Sequence, residues 1–123
     1  AISIFDARVM SRDTEFNLMY LEFKGGQFIV PDNKLQIGSL VRIRVVARDV
    51  SITKKKQTDT SILNIFPAVV EEMVPEGDAQ VMVRLTLKGV VLLACLTRKS
   101  ASSLKLGQGL SVFIQVKSVA ILS

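Results

Sequence analysis

The chain has 123 residues, enough for one compact unit or two very small ones, and its 49% apolar and 22% charged content excludes a disordered polymer. It contains no His and a single Cys, which removes the usual general base, Ser-His and Cys-His nucleophile pairs, His-ligated metals, an intrachain disulfide and a thiolate zinc cage. Net charge is +5, unevenly spread: residues 1–78 carry ten basic and eleven acidic side chains, whereas residues 79–123 carry six basic and no acidic ones, a segment suited to anions.

In chain order the pattern is strand-like almost throughout. Ile2 to Val9 alternates apolar and polar residues with period two, as does Leu40 to Val45. Val81 to Leu87 and Leu110 to Val116 repeat the alternation with β-branched enrichment. Lys24-Gly25-Gly26, Pro31-Asp32-Asn33, Pro75-Glu76-Gly77-Asp78 and Lys88-Gly89 supply the turns. Thr97 to Leu104 predicts one short helix, with Thr97 as its N-cap and Gly107 after its stop. The longest apolar run, Val90 to Leu96, is seven residues, far below the roughly 20 that a membrane helix needs. The absence of a leader-like start, and an opening at Ala1 without Met, suggest a cytoplasmic fragment of a longer protein.

An internal repeat organises these elements. Phe5, Ala7 and Val9 recur as Phe66, Ala68 and Val70, an offset of 61. Lys24-Gly25 recurs as Lys88-Gly89 at 64. Leu35, Ile37 and Gly38 match Leu104, Leu106 and Gly107, and Val50 and Ile52 match Val119 and Ile121, at 69. The division expected is a first half at 1–53, a polar joint at 54–59 and a second half at 60–123, with the helix elaborated in the second half alone. The fold class is all-β, an OB-like barrel built from two related halves. Halves of this size sit near the lower limit for an independent core, so they are expected to pack on each other or on a second chain.

Catalytic chemistry finds little material. Cys95 has no His to activate it and is expected to be buried and structural. Glu71 and Glu72 are adjacent in a strand, so alternation should point them to opposite faces. Lys24-Gly25-Gly26-Gln27 lacks the spacing of a phosphate loop. A nucleic-acid platform needs aromatics among basic residues, but Phe5, Phe16, Tyr20, Phe23 and Phe28 fall in the half that is not basic. Oxyanion binding is better supplied: Thr97 and its helix start, the hydroxyls of Thr60-Ser61, and the ammonium and hydroxyl of Lys117-Ser118 are the donors that a tetrahedral anion requires.

Thr60-Ser61-Ile62-Leu63-Asn64, Pro67-Ala68-Val69-Val70, Lys88-Gly89, Leu96-Thr97, Leu106-Gly107 and Val116-Lys117-Ser118-Val119 closely resemble the molybdate-binding Mop or TOBE region. Val41 to Ile52, with its Ala47-Arg48-Asp49-Val50-Ser51 segment, resembles more specifically the C-terminal regulatory region of the ModC family, ATP-binding subunits of bacterial molybdate ABC transporters. The resemblance implies an OB-like Mop/TOBE barrel that forms a homodimer and binds molybdate or tungstate as a ligand at the interface, with Ser61, Thr97, Lys117 and Ser118 as oxyanion contacts. It implies no catalytic residue and no resident cofactor or metal in this segment. Its partners would be an ATPase domain of the same parent chain and, indirectly, a membrane permease, with no nucleic acid, at the cytoplasmic face of the inner membrane. The family motif commonly reads Thr-Ser-x-Arg-Asn; here Leu63 stands at the Arg position, removing a charge-assisted contact worth about 1.5–3 kcal/mol. Arg48, Arg98 and Lys99 are candidate replacement cations. Two other readings remain open at this point: a structural dimerisation barrel whose ligand site is lost, and an OB-type nucleic-acid module.

Overall fold

Period-two burial produces the sheets. In β1 (Ile2–Asp13) Ser3, Phe5, Ala7 and Val9 face inward, while Ile2, Ile4, Asp6 and Arg8 face out. The same alternation runs through β2 (Leu18–Phe23), β3 (Gly26–Pro31), β4 (Leu40–Val46) and β5 (Val50–Thr53), the last two joined by a 3-10 turn at Ala47–Asp49. The second half follows with β6 (Asn64–Glu76), β7 (Gln80–Leu87), β8 (Val90–Thr97), the helix α1 (Arg98–Ser103), β9 (Ser111–Val116) and β10 (Ala120–Leu122). The computed structural model describes residues 1–122, and among these no helix is long and apolar enough to cross a membrane.

The strands form two five-stranded antiparallel sheets, ordered β10-β4-β1-β2-β3 and β5-β9-β6-β7-β8. Each half therefore lends its last strand to the other half's sheet. Val50 and Ile52 of β5 pair with Val116 and Ile114, while Ala120 and Ile121 of β10 pair with Arg44 and Ile43. The architecture is all-β and OB-like, built from two related halves.

The repeat is visible bond by bond. Both long first strands carry a β-bulge at equivalent places, between Val9 and Ser11 and between Val70 and Glu72. Beside each bulge, Gly38 N–H donates to Val9 O and Gly109 N–H to Val70 O, both at 2.7 Å, and both glycines hold the positive φ (92° and 87°) that side chains resist. Gly38 thus corresponds to Gly109, not to Gly107 as the sequence offset of 69 suggests. Over β4 and β9 the offset is 71, matching Val41, Ile43 and Val45 with Val112, Ile114 and Val116. The 3-10 turn at Ala47–Asp49 makes the first half two residues longer before β5, which restores the offset of 69 at Val50 and Val119.

Two buried polar side chains staple the sheets together, again in equivalent positions. Asn64 Oδ1 accepts from Ile29 N–H at 2.7 Å, and its Nδ2 donates to Ile29 O at 3.0 Å. Its counterpart Ser3 accepts from Leu93 N–H through Oγ at 3.2 Å. The first strand of each half thus satisfies the third strand of the other. Between them lie Phe23, Phe28 and Phe66, with Phe23 and Phe28 stacked at 4.6 Å and Phe66 edge-on at 5.6 and 5.1 Å. The hairpin tips also meet: a Cβ on Gly25 would come within 2.6 Å of Phe23 Cε2 and 2.9 Å of Leu87 Cγ, so this turn must be glycine.

Where the second half has its helix, the first has a loop held by charge. Arg12 Nε lies 2.8 Å from Asp32 Oδ2, and its Nη2 donates to Leu35 O. The Lys34 backbone N–H holds the Asp32 carboxyl below its ordinary value, with Arg12 assisting, against the upward push of burial.

Asn64→Ala removes both bonds to Ile29 and leaves that strand's N–H and C=O unpaired in the interior. We expect a loss of about 2–3 kcal/mol in urea unfolding at unchanged m, against about 1 kcal/mol for Ser3→Ala.

Candidate functional site

The crossing of β5 and β10 brings the Lys117–Ser118 pair beside Asp49. β9 ends at Val116, and the next two residues turn the chain toward the other sheet. Asp49, in the matching turn between β4 and β5, takes one donor from each: its carbonyl oxygen accepts Lys117 N–H at 2.9 Å and its carboxylate Oδ2 accepts the Ser118 hydroxyl at 3.1 Å. Asp49 and Ser118 occupy equivalent positions of the repeat, at the offset of 69. Equivalent residues that touch each other lie on the pseudo-twofold axis relating the halves. The depression there holds about 170 Å³ and is lined by Arg44, Val46, Asp49, Ser118, Val119 and Ala120.

Thr97 lies elsewhere. It ends β8 and caps α1, with Oγ1 accepting from Ser100 N–H at 3.0 Å and donating to Ser100 Oγ at 2.9 Å. It lines a separate depression of about 450 Å³ with Ser51, Ile52, Leu96, Lys99, Ser100, Ser103 and Leu104. The segment from Asp49 to Ile52 contributes to both depressions, so β5 connects them. Ser61 is exposed in the connection between β5 and β6, next to Thr60, whose Oγ1 accepts Ile62 N–H at 3.2 Å. Leu63, at the position of the motif's cation, is 59% exposed. Within the chain, then, Thr97 and Ser118 line different depressions, while Ser61 lies in the connection that leads to Asn64, the partner of Val116 in the β6–β9 ladder.

Two residues near the pair escaped the sequence reading. Arg44, exposed on β4, lines the Ser118 depression, and Asp49 brings a carboxylate. The signal was present, because pairing Val50 with Val119 also pairs Arg48-Asp49 with Lys117-Ser118. Of the other candidate cations, Arg98 donates to Asp78 O at 2.9 Å, and Lys99 borders the Thr97 depression.

Two expectations need correction. Glu71 and Glu72 do not simply face opposite ways: the bulge after Val70 interrupts alternation, and both line one depression with Met73 and Gln108. The Glu71 carboxylate is held by Arg84 Nε at 2.9 Å. Cys95 is half-buried rather than buried, because it points outward from β8 opposite Met82. Among the described residues, no group of three or more His, Cys, Asp or Glu side chains could hold a metal ion.

Two strand-exchanged OB-like halves, with polar donors gathered where the strands cross, define a small β-domain of the Mop/TOBE type. The chain belongs to the TOBE domain family, whose sequence pattern matches residues 60–122. Over nearly its whole length it is similar to molybdenum import ATP-binding proteins ModC. It is 44% identical to that of Albidiferax ferrireducens over 120 residues, covering 98% of this chain and 32% of the relative. It is 42% identical to that of Thiobacillus denitrificans over 119 residues, covering 96% and 33%. The chain thus spans about a third of the length of these relatives. Its fold matches a crystal structure of the cytoplasmic molybdate-binding protein ModG with molybdate bound, at a TM-score of 0.82 and 21% identity, covering 97% of this chain and 94% of that one.

Because Thr97 already spends its hydroxyl on the helix cap, Thr97→Ala is expected to cost about 1 kcal/mol of stability with or without any anion, and Thr97→Ser to restore most of it. Thermal unfolding of the two variants measures this.

Proposed function

We propose that the chain is the regulatory region of a molybdate importer's ATP-binding subunit, C-terminal to an ATPase domain, and that it binds molybdate or tungstate to regulate transport. The observation that carries this reading is the coincidence of two likenesses: similarity over 98% of the chain to ModC proteins, and the fold of a protein that binds molybdate. The acid-free stretch from residue 79 onward adds the right sign of charge.

In this reading the domain has no chemistry to perform. Lys117 supplies charge, and Ser118, Ser61 and Thr97 supply hydroxyl or main-chain donors. Since Thr97 lines a different depression from Ser118 within one chain, a second copy brings the missing donor, and the ligand sits at a homodimer interface. Arg44 provides the guanidinium that Leu63 withholds. The units 1–53 and 60–123, linked by 54–59, act as two halves of one sensing body. The parent subunit works at the cytoplasmic face of the membrane with a permease, and the anion's occupancy there controls uptake.

A second reading is favoured by one specific observation. Asp49 already occupies both the Lys117 N–H and the Ser118 hydroxyl, as it would in a dimerisation barrel that has lost its ligand.

Thermal unfolding at fixed protein concentration separates the two. A ligand at 100 times its dissociation constant adds about 2.7 kcal/mol, a rise in midpoint of roughly 3–8 °C for a domain of this size. We expect that rise with molybdate and tungstate, none with sulfate, and none with any of them in Lys117→Ala. No shift with any anion at millimolar concentration would leave the dimerisation barrel.

A further inference from the structure

Ser118 has one hydroxyl proton to donate, and it goes to Asp49 Oδ2 at 3.1 Å. The main-chain donor next to it, Lys117 N–H, goes to the carbonyl of the same residue at 2.9 Å. Asp49 is therefore more than a neighbour of the pocket: its carboxylate stands where an oxyanion would have to stand to use Ser118. Arg44 of β4 lines the same depression. An entering dianion meets a like charge at the donor it needs, and it must also break a hydrogen bond that has formed already.

We propose that Asp49 is an internal competitor for the oxyanion, holding Ser118 until the ligand displaces its carboxylate. The inference rests on the oxyanion reading above and adds regulation to that same site. It also accounts for the asymmetry of the repeat, in which a hydroxyl in the second half is matched by a carboxylate in the first. Two hydroxyls at the axis would both be free to bind an anion; a hydroxyl and a carboxylate satisfy each other. Binding is thus coupled to a change at the point where the two halves cross. Since Asp49 leads directly into β5, a carboxylate that turns away acts on the strand that the first half lends to the second.

The test is isothermal titration of the full chain with sodium molybdate, with sodium sulfate as control. Asp49→Asn keeps the side-chain shape and the main-chain carbonyl that holds Lys117 N–H, but removes the charge. We expect it to tighten molybdate binding by about tenfold. Asp49→Ser, a smaller replacement, is expected to change affinity in the same direction and covers the case in which the Asn variant folds poorly. Tightening in the folded variants supports the competitor role, as does molybdate binding by the variants when the wild-type chain is silent. Equal or weaker binding by the variants beside a wild-type chain that binds would overturn the competitor role and leave the oxyanion reading intact. Absence of binding in all three chains would overturn both.

Discussion

Two short strands, β5 and β10, finish each other's sheets, and the remainder of the molecule depends on that exchange. A half of this length buries too little apolar surface to be secure by itself. Lending one strand each way gives both sheets a fifth strand and places the two inner faces against each other. The exchange is reinforced at three points by repeat-equivalent groups: Asn64 on Ile29 with Ser3 on Leu93, the hairpin tips around Gly25 and Leu87, and Asp49 on Ser118. Buried polar groups that are fully satisfied specify one arrangement where apolar packing alone tolerates several. Among the described residues, no buried side-chain nitrogen or oxygen lacks a partner.

That arrangement has a consequence for the proposed function. A ligand held where the strands cross touches both halves at once, because Asp49 and Ser118 come from different halves and lead into the two exchanged strands. In the proposed function, occupancy is then transmitted through the strain or relief that the ligand imposes on the crossing. The outer faces of the two halves are not alike. β1 and β4 present Asp6, Arg8, Leu40 and Arg42, whereas the matching positions of β6 and β9 present Pro67, Val69, Ser111 and Phe113, and the position matching Arg44 is the buried Gln115. The repeat has kept its interior and its bulges while its exterior has diverged.

Much of this was legible in the sequence. Period-two alternation placed β1, β4, β7 and β9, and Thr97 marked the helix start because an N-cap hydroxyl has a local signature. The offset of 61 carried the first strands, including their common bulge, since Phe5, Ala7 and Val9 are core residues with exact counterparts. Strand exchange was not legible: β5 pairs with residues 60 to 66 positions further along the chain, and nothing in Val50 to Thr53 records which sheet it joins. The offset of 69 does not hold at Gly38, whose counterpart is Gly109, because the 3-10 turn before β5 absorbs two residues without altering the alternation on either side. Of the site, Lys117 and Ser118 could be named from residue type and resemblance. Arg44 and Asp49 were passed over, Arg44 because a strand's outward arginine looks like ordinary surface, and Asp49 because an acid is not sought among anion contacts.

Native-state hydrogen exchange tests most directly whether the exchanged strands make the halves one body. The account predicts that the amides of Ile29 and Leu93, together with those paired in β5 and β10, open with a single free energy equal to that of global unfolding. If amides of residues 1–53 instead exchanged as one block and those of 60–122 as another, at clearly different free energies, the two halves would be independent and the account would be contradicted.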